Sequence, residues 1–239
     1  MFQGQWGLRS APDGLTHAEL VATEGRPRLR AWLDRIQADG LAQFAVVHGY
    51  FPCHSQAERL IVGDPVDPER ELARFTFPRQ PRGRRLCLAD FFRDATETAE
   101  LGPDVLALQL VTMGERVSQE TARLFETNAY RGYLELHGLS VQLTEALAEL
   151  WHQRIRTELG LAAEDGPVTE QIRDQAYRGS RYSFGYPACP DLELRRPLCG
   201  LLKPERIGVV LSEELQLHPE QSTDALIVHH REARYFNAR

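Results

Sequence analysis

The chain has 239 residues, of which 42% are hydrophobic and 26% charged, with a formal net charge of −6. That length can bury a core without staples, and the negative balance argues against nucleic-acid binding through phosphate contacts. Lys203 is the single lysine among 28 basic residues, which excludes a phosphate loop built on a glycine–lysine pair.

The first element is a helix over 15–39, with Thr16 and Glu19 spaced as a capping box and Gly40 as the stop. Residues 43–51 alternate as a strand, closed by Pro52. Segments 59–62 and 73–77 read as further short strands, and the turn-rich connectors make them antiparallel neighbours. Residues 79–85 form a basic loop, read either as a solvated turn or as a docking patch for an acidic partner. A strand over 104–111 follows, then helices over 117–136 and 139–157. In the second helix Leu139, Leu143, Ala146, Leu147 and Leu150 recur at helical spacing and define one apolar face. A short helix over 168–176 leads into an irregular loop, and strands over 207–211 and 225–229 close the chain. No repeat or linker divides it, so a single α+β domain is the simplest account.

Cys53, Cys87, Cys189 and Cys199 form no C-x-x-C pair, and four thiols at this length fit a reducing cytosol better than a disulfide scaffold. No apolar run approaches the roughly 20 residues that span a bilayer. Residues 1–6 lack the basic-then-apolar pattern of a secretion signal. No G-x-G-x-x-G follows a strand, and no G-x-S-x-G or H-E-x-x-H is present. Glu145, Glu149 and His152 fall on one stripe of their helix, placed opposite the leucine face. Glu149-x-x-His152 is half of a di-iron pattern without a second copy, so we read a polar face and not a metal site. His218, His229 and His230 are read as structural, because adjacent strand residues point to opposite faces.

The densest chemistry lies in Arg181-Tyr182-Ser183-Phe184-Gly185-Tyr186-Pro187-Ala188-Cys189-Pro190. Gly185 permits a positive φ or a close approach, while Pro187 and Pro190 fix φ and remove two donors. Such a segment is stiff and irregular. It is either a surface turn with a buried thiol or a rigid loop that displays an Arg and a Tyr to a ligand.

The pattern R-x-x-x-G-Y-P-A-C-P resembles the signature of the activation domain of cobalamin-dependent methionine synthase. The same resemblance extends to Gln5-Trp6, Tyr50-Phe51-Pro52, Cys87 to Phe91, the helix carrying Glu145, Glu149, His152 and Arg154, and the tail from His230 to Phe236. It implies an α+β fold with a bent antiparallel sheet and flanking helices, residues 1–239 forming one activation domain, a fragment or split subunit of a larger cytoplasmic enzyme. It implies S-adenosylmethionine as ligand. Arg181 would take the carboxylate, a role suited to a guanidinium fork. The backbone at Ser183 and Gly185 would read the adenosine, Tyr186 would supply a hydroxyl and a ring face, and Ala188 is counted with them. Tyr235 and Phe236 would close over the ligand, and Glu145 would meet its ammonium.

The resemblance also implies a reaction. Cob(II)alamin takes an electron from flavodoxin or a similar reductase, and the cob(I)alamin formed takes the methyl of S-adenosylmethionine. The cobalt-ligand motif D-x-H-x-x-G is absent, so cobalamin is expected from another domain or chain, whose cobalamin-binding domain is then a partner. No general acid or base is required of this chain, and neither a catalytic residue nor a metal ligand is assigned. Two alternatives stay open: a stand-alone module that binds S-adenosylmethionine or caps cobalamin without catalysis, and an interaction domain that has lost its ligand. One departure matters. The family carries an acid for the ammonium shortly before its N-terminal Trp, and none of the five residues before Trp6 is acidic. The expectation is a truncated chain or weakened binding.

Overall fold

Successive residues of the segment Asp104–Thr112 point to opposite sides, and that alternation organises the fold. The computed structural model of the chain describes residues 1–8, 15–67 and 70–238. In it β1 (Ala45–Gln56), β2 (Arg59–Gly63), β3 (Glu71–Thr76), β4 (Asp104–Thr112), β5 (Ser180–Tyr182) and β8 (Ser222–Val228) form a six-stranded sheet in the order β3-β2-β1-β4-β8-β5. Every neighbouring pair is antiparallel. The short strands β6 (Val210–Leu211) and β7 (Leu217–His218) pair separately.

Leu106, Leu108 and Leu110 of β4 and Leu226 and Val228 of β8 face one core. That core is closed by helix α7 (Arg195–Leu202), the Leu88–Phe91 turn and the C-terminal tail. On the other face Ala107, Ala225 and Ile227 meet Ile155 of the long helix α5 (Tyr130–Glu158). The two alanines let the helix lie close, and Gln109 Nε2 donates to its Ala148 carbonyl at 3.1 Å. A separate apolar cluster joins α1 (His17–Leu20), α2 (Arg26–Ala38), α4 (Glu115–Glu126) and the start of α5 around Trp6, Ile36, Leu124 and Leu136. Helices α3 (Ala95–Leu101) and α6 (Val168–Asp174) are short connectors. The fold is α+β in a single domain, with an antiparallel sheet and flanking helices.

Several expected boundaries move. The capping box at Thr16 and Glu19 is present, but the first helix is interrupted by a π turn, Val21–Gly25. Pro27 follows it and has no N–H to return to the preceding turn. Residues 9–14, which precede that cap, lie outside the described residues. Pro52 does not end β1. It pairs with Val105 of β4 at a point where the β2 pairing, which starts at Cys53, has stopped. The expected strand over 207–211 shrinks to Val210–Leu211, because Pro204–Ile207 forms a 3₁₀ turn ended by Gly208. The basic loop is not simply solvated: Arg79 donates to both Asp90 oxygens at 2.6 and 2.7 Å and to Glu58 at 2.8 Å.

The break between the two long helices falls at Thr127–Ala129, ten residues before the expected one. Asn128 takes a left-handed φ of 59°, and Asn128 and Ala129 return their N–H groups to Phe125 and Leu124. This is a Schellman ending, in which Asn substitutes for Gly. Gly138, which falls between the two expected helices, lies inside α5 and serves close packing. A Cβ there would sit 2.7 Å from Gln5 Oε1 and 2.9 Å from Gln5 Cβ. Gly138→Ala is therefore expected to lower stability by about 1–3 kcal/mol despite its better helix propensity. Urea unfolding of the two proteins measures this, and an Ala variant as stable as the parent would contradict the packing role.

Candidate functional site

Strand β5 is an edge strand on β8, paired Arg181 to Ile227 and Tyr182 to Leu226. Its alternation decides the site. Ser180 and Tyr182 are buried on the tail side, where Ser180 Oγ donates to Ala233 O at 3.0 Å and Tyr182 Oη to Arg234 O at 2.8 Å. Arg181 points the other way, toward α5. Its Nη2 donates to Glu145 Oε2 at 2.6 Å and its Nε to Glu149 Oε2 at 3.2 Å. Burial opposes the Arg181 charge, but the two carboxylates raise its pKa above the ordinary value.

Glu145 and Glu149 share a stripe of α5, as the spacing predicts. His152 does not join them in the open: it turns inward, fully buried, with its ring edge-on to Tyr177 at 5.0 Å. Burial lowers the His152 pKa, favouring the neutral ring. Burial also works against the Glu149 carboxylate, yet the Arg181 guanidinium that donates to it holds it below the ordinary range. The expected leucine face is corrected too. Leu139 is buried and Leu143 packs beside it in the N-terminal cluster, but Ala146 and Leu150 line an open groove between α5 and α6. The inward residues of this half are Thr144, Ala148, His152 and Ile155. A helix serving two cores presents a different face to each.

The groove has a volume of about 450 Å³ and is walled by Glu145, Ala146, Glu149, Leu150, Ile172 and Arg181 among others. Of the expected ligand residues it contains Glu145 and Arg181. Ser183, Gly185, Tyr186, Ala188, Tyr235 and Phe236 lie outside its lining.

Those six belong to the loop and the tail. Gly185 has φ 91°, and a Cβ there would meet Leu192 Cδ2 at 2.8 Å. Gly185 N–H donates to Cys189 O and Cys189 N–H to Tyr186 O, closing a tight turn. Ser183 is half-buried. Tyr186 and Tyr235 are both about half exposed, at 54% and 52%. Tyr235 stacks on Tyr182 with centroids 6.2 Å apart. Ala188 and Phe236 are core residues, Phe236 packing on Phe91 and Tyr182, so their side chains are spent on the fold. Cys189 is buried, and burial pushes its thiol far above the ordinary range, as a structural cysteine requires. Ala238 N–H donates to Pro187 O at 3.0 Å and ties the tail to the loop.

Sequence reasoning missed the group that holds the loop. Asp224 of β8 is buried, accepts from Phe184 N–H at 3.2 Å and pairs with Arg195 Nε at 2.7 Å. Burial raises its pKa, against the pull of Arg195. A lone acid in the apolar run Ala225–Val228 and its neighbours was the available signal. Two of the three histidines make structural contacts: His229 Nε2 lies 2.9 Å from Asp104 Oδ1, and His230 Nδ1 accepts from Glu232 N–H. Among the described residues no group of three or more His, Cys, Asp or Glu is placed to hold a metal. Trp6 is buried in the N-terminal cluster, its Nε1 donating to Glu135 O at 3.1 Å.

Residues 4–239 match the family described as "Vitamin B12 dependent methionine synthase, activation domain". The chain belongs to that family. It is 56% identical to a methionine synthase of Mycobacterium tuberculosis (strain ATCC 25618 / H37Rv), over 99% of this chain and 21% of that protein. A methionine synthase of Mycobacterium leprae (strain TN) is 54% identical over the same shares. The chain thus spans about a fifth of the length of these relatives. A crystal structure of the MetH reactivation domain bound to AdoHcy has the same fold, with a TM-score of 0.87 at 22% identity, covering 99% of this chain and 75% of that one. Among the described residues no helix is long and apolar enough to cross a membrane.

Two outcomes follow from the site's electrostatics. Arg195→Met leaves the Asp224 carboxylate buried without its cation and is expected to cost about 3–5 kcal/mol, much of it recovered by adding Asp224→Asn. Chemical denaturation of both variants checks this. Glu149 titrates lower folded than unfolded, so its ion pair contributes stability above the ordinary carboxylate pKa and loses it as pH falls through the depressed folded value. The stability gap between wild type and Glu149→Gln should be widest near neutral pH and shrink steadily in acid; a gap independent of pH would contradict the ionised pair.

Proposed function

We propose that this chain binds S-adenosylmethionine at Arg181 and serves as the reactivation domain of a cobalamin-dependent methionine synthase, a methyltransferase. One observation carries the reading: a guanidinium on the signature strand and a carboxylate on α5 stand side by side at the end of an open groove. The amino-acid end of the ligand is a zwitterion. Arg181 matches its carboxylate, and Glu145, the more exposed of the two acids, matches its ammonium. Tyr186 and Tyr235 keep free ring faces at the loop and tail, suited to an adenine. Ser183 and Gly185 contribute backbone, and the absence of a Cβ at Gly185 lets the loop turn tightly against Leu192. Ala188 and Phe236 support the loop from inside the core.

Cobalamin, carried by another domain of the enzyme, supplies the nucleophile that accepts the methyl group. The residues of this chain bind, orient and shield; none has to move a proton. This division fits a site whose charges are fixed in ion pairs and whose thiol is buried. A relative that spans about five times this length leaves room for the cobalamin-binding domain in the same polypeptide. We place the protein in the cytosol, with flavodoxin or a similar reductase as electron donor; four unpaired cysteines support the compartment. The likeness to a reactivation domain bound to AdoHcy supports the choice of ligand.

The test is calorimetric titration of S-adenosylmethionine into wild type and Arg181→Ala. Wild type should bind, and the variant should lose about 1.5–3 kcal/mol, roughly ten- to more than a hundredfold in affinity. Equal binding by both proteins, or none by either, would overturn the assignment of Arg181.

A further inference from the structure

We infer that Glu149 is a positioning residue: it holds the Nε edge of Arg181 fixed, so that the Nη edge can exchange Glu145 for the carboxylate of the ligand. This rests on the reading of the site given above and assigns a division of labour between two glutamates that both touch one guanidinium.

The asymmetry lies in what stands behind each acid. Glu145 reaches Arg181 from a side chain that is 40% exposed, and its other surroundings are the open groove. Glu149 is 25% exposed, and its Oε1 is buried with no hydrogen-bond partner, 3.8 Å from His152 Nδ1. His152 is wholly buried and pinned edge-on against Tyr177. Tyr177 in turn lies under the Arg156 guanidinium at 4.0 Å, and Arg156 is locked by Asp165 and by Gln171 of α6. Rotating Glu149 away would leave Arg181 Nε without its acceptor in a half-buried setting, at a large cost. Rotating Glu145 away moves a carboxylate into water.

The charges balance in the exchange. Arg181 with two glutamates carries one net negative charge. The zwitterionic amino-acid end adds none, and the sulfonium next to it adds the one positive charge that cancels the excess when the site takes the ligand. Its carboxylate replaces Glu145 at Nη2, and the released Glu145 is left beside the incoming ammonium. Glu149 keeps the guanidinium plane oriented throughout, which spares the ligand the entropy of ordering a long side chain. Pre-organisation of this kind acts on the amino-acid end of the ligand and not on its nucleoside.

The experiment observes the Arg181 side chain by ¹⁵N NMR and compares two ligands, S-adenosylmethionine and 5′-methylthioadenosine, which lacks the amino-acid end. In the wild type, adding S-adenosylmethionine should move the Arg181 Nη resonances and leave Nε–H in place. Glu145→Ala should retain the slowly exchanging Nε–H signal, and Glu149→Ala, which removes the acceptor, should lose it. Glu149→Ala should also weaken S-adenosylmethionine by about tenfold, the scale of one charge-assisted hydrogen bond, with methylthioadenosine changed less than about twofold. An Nε–H that moves with ligand as far as Nη, an Nε–H kept in Glu149→Ala, or equal losses for both ligands would overturn the proposal. The wild-type titration needs no variant, so a Glu149→Ala protein that does not fold leaves it decisive. A wild type that binds neither nucleoside overturns the function proposed above and this proposal with it, whereas the Nε–H pattern of the free protein separates that failure from a fault in the role of Glu149.

Discussion

Asp224 lies on β8 with its side chain out of water, and two donors from different parts of the chain meet it there. One is the backbone N–H of Phe184, where the signature loop leaves β5. The other is Arg195 at the start of α7, which also reaches the Leu215 carbonyl at 2.7 Å. A charge buried at this depth is tolerable only when paired and hydrogen-bonded, so the three segments are held together or not at all. The loop is stiff because of this tie as much as because of its prolines. Phe184 then stacks on Phe75, with centroids 5.9 Å apart, and couples the loop to the far strand of the sheet.

From that anchor the placement of the site follows. With Tyr182 directed into the tail-side core, strand geometry sends Arg181 to the opposite face, toward α5. Small residues at Ala107 and Ala225 bring α5 down onto the sheet, within reach of the guanidinium. Glu145 and Glu149, one turn apart, meet it together. The tail is tied to the other face of β5 and to the loop: Ser180, Tyr182 and Pro187 each share a hydrogen bond with it, and Tyr235 is carried onto the Tyr182 ring. The candidate site is thus the product of one buried ion pair, one strand alternation and one helix spacing.

Some of this was legible beforehand. The capping box at Thr16, the strands around 59–62, 73–77 and 104–111, and the antiparallel pairing of the first of them all depend on contacts within a few residues, which local sequence encodes. The ten-residue loop carried the family, and Arg181 and Glu145 were named from it and do meet. Two expectations for α5 fail. The helix runs unbroken through 137–138, where the expected pair of helices leaves a gap, and Gly138 there packs on Gln5. Leu150, placed on the apolar face, lines the groove, because a helix of 29 residues packs against two different partners and no single periodic face describes it.

The amino-acid sequence by itself determined the fold class, the family and the chemical types gathered at the site, because these follow from short-range spacing and from a motif whose residues are contiguous. Only the tertiary structure decided that Arg181 is shared by two glutamates, that Ala188 and Phe236 serve the core, and that Asp224 and Arg195 hold the loop. Those facts depend on which side of a strand faces which helix and on how deeply a charge is buried. Burial and facing are set by partners that lie tens of residues away along the chain, where no local pattern reaches.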